Sequence, residues 1–73
     1  MKIRFSRHAK KQMKWRRIDE EEVQETITNP QKVEDTVKDR KNAFKEVGGR
    51  ILKITYRIEK DEAVDVTAIV KGA

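Results

Sequence analysis

The sequence contains no cysteine, which excludes a disulfide framework and any thiolate metal site. With one histidine and scattered acids it shows no metal-ligand spacing, and no cofactor is implied. One proline and three glycines leave no material for a glycine-rich phosphate loop or a flexible linker. Nucleophile elbows and carboxylate pairs are also missing, so nucleotide-dependent and glycosidase chemistry have no support. No apolar run approaches the roughly 20 residues of a membrane span, and nothing resembles the apolar stretch of a signal peptide. The expected address is the cytoplasm, with no membrane partner.

Acid is absent from the first 18 residues, which hold eight Lys or Arg; all 13 Asp and Glu follow. The net charge of +5 favours a polyanionic partner, because binding phosphates releases condensed counterions. The 73 residues make one domain, 1–73, and a chain of this length buries only about 60% of its unfolded surface. Its core must be small.

Periodicity divides the chain near Lys32. Lys2 to Phe5 alternates like a short edge strand, an optional extra element. Ser6 is a plausible N-cap for a first helix running to about Arg17. Asp19 opens a second helix with Glu22 completing a capping box and Ile18 and Val23 placed as a hydrophobic staple. Asn29-Pro30 ends it. From Lys32 the period is two, and four antiparallel strands follow, turning at Asp39 to Asn42, Gly48-Gly49 and Lys60-Asp61. The expected fold is α+β, with two N-terminal helices packed on one face of a four-stranded antiparallel sheet.

Register follows from face sharing. If Phe44 joins Leu52 and Ile54 in the core, the Gly48-Gly49 connection has an odd number of residues. The same parity makes the Lys60-Asp61 loop odd and the Asp39 to Asn42 loop even. The open face then carries Lys45, Lys53 and Arg57 on neighbouring strands about 5 Å apart, with Lys71 at its end, a spacing suited to successive phosphates. An ordinary solvated face is the alternative.

On the first helix, at about 100° per residue, His8, Gln12, Arg16 and Trp15 fall on one half with Ala9 and Met13, opposite Arg7, Lys10, Lys11, Lys14 and Arg17. His8 either moves protons, since an imidazole titrates near neutrality, or braces the helix through a hydrogen bond. Arg16 meets either a phosphate or an acid such as Glu22 or Glu46. Trp15 either stacks on a base or packs at the rim of the core.

The stretch from His8-Ala9 through Gln12-Met13 and Arg16 to Ile18-Asp19-Glu20-Glu21-Glu22-Val23, with Asn29-Pro30 after it, resembles a family of short proteins of unknown function. Their pattern reads HAxxRMxxRxIxxEEV and then NP, followed by a glycine-arginine hairpin, here Gly48-Gly49-Arg50. Gln12 stands where the pattern has its first arginine. That family resembles the RelE and BrnT type toxins, small basic ribonucleases. The resemblance implies a RelE-like fold and RNA, free or ribosome-associated, as substrate. His8, Arg16 and Arg50 are then the catalytic candidates, and Lys45, Lys53, Arg57, Lys71 and Trp15 the RNA-binding ones. An endoribonuclease of the mRNA interferase type is the first expectation. A non-catalytic RNA-binding module is the second, and a protein-interaction domain with an acidic antitoxin-like partner the third; the oligomeric state is not legible.

Overall fold

The structure, a computed structural model, describes residues 2–71. In chain order the elements are β1 (Lys2–Ile3), α1 (Arg7–Trp15), α2 (Glu20–Thr28), β2 (Lys32–Asp35), β3 (Arg40–Val47), β4 (Arg50–Glu59) and β5 (Glu62–Val70). The expected α+β class with two helices holds. The sheet, however, has five strands in the order β1-β5-β4-β3-β2, and it is mixed, because β1 runs parallel to β5. The expected four-stranded antiparallel sheet corresponds to β2 through β5.

Local signals set both helices. The Ser6 hydroxyl accepts the Ala9 N–H at 3.0 Å and caps α1. At the other end Arg17 takes a left-handed conformation at φ 54, while the Ile18 N–H reaches back to the Met13 carbonyl and the Arg17 N–H to that of Lys14. This is a Schellman ending with arginine in place of the usual glycine, and its apolar pair, Met13 and Ile18, enters the core. In α2 the Glu22 carboxylate accepts the Asp19 N–H at 2.9 Å, the reciprocal half of the capping box. Ile18 and Val23 are both buried, as the staple requires.

The core joins Met13, Ile18, Val23 and Ile27 of the helical segment to Ala43, Leu52, Ile54, Tyr56, Val66 and Ala68 of the sheet. α1 packs against β5, and α2 against β3 and β4.

The register differs from expectation at β3. Val47 pairs with Arg50 across a two-residue Gly48-Gly49 turn, both glycines having positive φ, as a type I′ turn demands. Ala43 therefore faces the helices and Phe44 the opposite side, where Lys53 is its partner. This one exchange also corrects the loop before β3, which closes between Thr36 and Arg40 around three residues instead of an even number. The Lys60-Asp61 turn likewise has two residues, since Glu59 pairs with Glu62. There the parity change that the alternating pattern requires comes from a β-bulge. Thr55 pairs with Thr67 but Arg57 with Val64, and Asp65 in the bulge has φ 52. Val66, Ala68 and Val70 thus return to the helix face.

Candidate functional site

Along α1 three polar side chains form a ladder. Arg16 Nη1 donates to Gln12 Oε1 at 3.1 Å, and Gln12 Nε2 lies 3.0 Å from His8 Nε2. Arginine can only donate, so the Gln12 oxygen must face Arg16 and its amide nitrogen must face His8. His8 Nε2 is then the acceptor, and the imidazole carries its proton on Nδ1. Arg16 Nη1 also donates to the Ala68 carbonyl at 3.2 Å, on the side of β5 left uncovered beyond the two-residue β1. His8 and Arg16 are nonetheless exposed, so their position is flanking, outside the core that Ala9 and Met13 enter.

His8 and Gln12 line a shallow hollow of about 270 Å³ with Arg40, Asp65 and Thr67. Arg40, Asp65 and Thr67 are functional candidates that the sequence reading passed over. Asp65 reaches this place because the bulge displaces it from the strand's alternation, and only the pairing with β4 reveals it.

The other predicted residues separate into distinct environments. Arg50 is drawn into the fold: Nη1 donates to the Arg16 carbonyl at 3.0 Å, and Nη2 to the Arg17 carbonyl at 2.9 Å and the Glu22 carboxylate at 3.2 Å. It staples the end of α1 to the start of α2, with both terminal nitrogens engaged there. Arg16 does not take Glu22 as a partner, because Arg50 does.

Lys45 is not on the open face. The two-residue turn sends it to the helix side, where Nζ donates to the Asn29 carbonyl at 3.0 Å and pairs with Glu25 at 3.3 Å, its side chain only 13% exposed. Lys53 and Arg57 do lie on the open face, in register with Ile69 and Val64. Arg57 is locally neutralised by Asp65 at 3.1 Å and Glu59 at 3.0 Å. Lys71 Nζ stands over the Phe44 ring at 4.9 Å and Lys32 Nζ at 5.8 Å, so two ammonium groups lie against the aromatic that the sequence places on the helix side. Trp15 is 75% exposed and packs in no core; its one neighbour of note is Lys11, whose Nζ lies 5.9 Å from the ring centre.

The six cations between Arg7 and Arg17 form no ion pair among the described residues, whereas Lys2, Arg4, Lys32, Lys41, Lys45, Arg50 and Arg57 all do. The longest run of cations without an ion pair thus lies on and just after α1; Lys38, Arg40, Lys53, Lys60 and Lys71, scattered over the sheet and its loops, also form none among the described residues. Among the described residues no group of three His, Asp or Glu gathers where it could hold a metal ion, and no helix is long and apolar enough to cross a membrane.

Residues 5–70 match the family described as "Domain of unknown function (DUF4258)", and the chain belongs to it. No curated protein and no solved structure gives a significant match.

Proposed function

We propose that this protein binds RNA across α1 and cleaves it as a toxin-type endoribonuclease, with His8 as the proton-transfer group and Arg16 facing the phosphate. The reading rests on the unpaired cations of α1, which flank the chain's only imidazole. A ribose 2′-hydroxyl gives its proton to His8 Nε2 in exchange for the Gln12 contact, and its oxygen attacks the adjacent phosphorus. The bond to the 5′-oxygen breaks, that oxygen takes a proton from water, the His8 imidazolium gives its proton to the hydroxide left behind, and a 2′,3′-cyclic phosphate remains. Arg16 and Arg40 oppose the charge that develops on the phosphorane.

A non-catalytic RNA-binding module is the second reading, favoured by the engagement of Arg50 and Lys45 in the fold, which removes two cations expected near the phosphate. Cleavage of RNA, free and ribosome-bound, by wild type and His8→Ala separates the two. An enzyme loses on the order of a hundredfold in rate with its melting temperature nearly unchanged, since His8 is exposed. A wild type that binds RNA but yields no cyclic phosphate refutes the catalytic reading.

A further inference from the structure

A tryptophan left in water is the costliest apolar residue a small protein can display, because the indole carries more apolar surface than any other side chain. Here the chain's only tryptophan is 75% exposed. The core does not need it. Neither does α1, whose ending is made by backbone hydrogen bonds and by the Met13 and Ile18 contact.

Its surroundings are specific. On the wheel of α1 Trp15 lies about 20° from His8 on one side and about 40° from Lys11 on the other. It therefore stands on the border between the ladder and the unpaired basic stripe. Along the axis it is seven residues from His8, about 10 Å. An aromatic face beside a track of cations is the arrangement that holds single-stranded nucleic acid: bases stack on the ring while phosphates follow the charge. Double helices keep their bases stacked on one another and offer such a ring nothing.

We propose that Trp15 is a stacking platform for an unpaired base, so that the RNA taken by this protein is single-stranded where it crosses α1. The proposal rests on the RNA reading above and adds the strandedness of the substrate. The stacked base anchors the strand between Lys11 and the ladder, with its neighbouring phosphates directed toward His8 and the basic stripe. Since every base has a π-face, this contact tolerates sequence.

The test uses three probes: single-stranded 2′-O-methyl oligouridine, which cannot undergo 2′-hydroxyl attack, a 2′-O-methyl A·U duplex of the same length, and inorganic polyphosphate. Oligouridine should quench the fluorescence of Trp15, and Trp15→Ala should bind it roughly ten- to a hundredfold more weakly. The salt dependence should not change, because no phosphate contact is lost. Trp15→Phe should keep most of the affinity, and polyphosphate should bind wild type and Trp15→Ala alike. Equal oligouridine affinity in wild type and Trp15→Ala overturns the platform while leaving RNA binding intact. Failure of all three probes to bind overturns the platform and the RNA reading together.

Discussion

Arg50 at the head of β4 and Glu22 in the first turn of α2 are joined by a 3.2 Å ion pair across 28 residues of sequence. The same guanidinium holds the Arg16 and Arg17 carbonyls, so one side chain ties the end of α1 and the start of α2 to the head of β4. An arginine that reads as a phosphate ligand in the sequence is a fastener in the structure.

Arg50→Ala should accordingly cost about 2 kcal/mol, the scale of charge-assisted hydrogen bonds lost from a half-buried site with partners left unpaired. For a domain of this size that lowers the melting temperature on the order of 10 °C. Arg50→Lys should recover little, since an ammonium cannot span two carbonyls and a carboxylate. Thermal unfolding followed by circular dichroism decides the point; an unchanged melting temperature would return Arg50 to the catalytic candidates.

Arg17 occupies a left-handed position where glycine is the unstrained choice. Arg17→Gly should raise stability by about 0.5 to 1 kcal/mol while weakening RNA binding, because it removes one of the unpaired cations. Chemical denaturation and filter binding on the same variant would show whether charge is kept here at the expense of backbone comfort.

Lys10, Lys11 and Lys14 make no ion pair among the described residues, so their joint replacement by glutamine should leave folding almost untouched. The slope of log affinity against log salt for single-stranded RNA should fall by about 2, three contacts at roughly 0.7 each. Lys45→Gln should not change that slope and should instead lower stability through its lost contacts to Asn29 and Glu25.

Gly49 has φ 82, and a Cβ built there meets nothing within 4 Å. Gly49→Ala should therefore cost about 1 kcal/mol through backbone strain alone. A loss of several kcal/mol, measured by urea unfolding, would mean that the turn does more than set the register.

What could be read from the sequence was local. Ser6, the Asp19 and Glu22 pair, Ile18 with Val23, and Asn29-Pro30 announce the helix boundaries through contacts within a few residues. Phe44 misleads about the face and not about burial: it is 8% exposed, but on the side away from the helices, while Ala43 faces them. The space against α2 takes the smaller side chain, and Phe44 is sheltered by Lys32 and Lys71 from separate strand ends. Those lysines are distant in sequence, so no period reveals them. The Asp65 bulge was equally hidden, since the strand keeps an apparently regular alternation and only pairing with β4 exposes the extra residue. His8, Gln12 and Arg16 were recognised as belonging together from their spacing of four. That they lie in solvent beside a strand edge, and that Arg50 serves the loop between the helices, depended on tertiary placement.

The Arg16 to Ala68 hydrogen bond bears on how this sheet avoids growing. A strand edge with free carbonyls is a template for another strand, and β1 covers β5 only at Glu62 and Ala63. Beyond that point α1 lies alongside, and the guanidinium of Arg16 occupies an acceptor that an incoming strand would seek. The opposite edge, β2, is four residues long and carries Lys32, Glu34 and Asp35, a length and charge that discourage recruitment. The helix proposed to meet RNA thus also covers part of this edge, and discarding Arg16 in a search for inactive variants would free the acceptor it occupies.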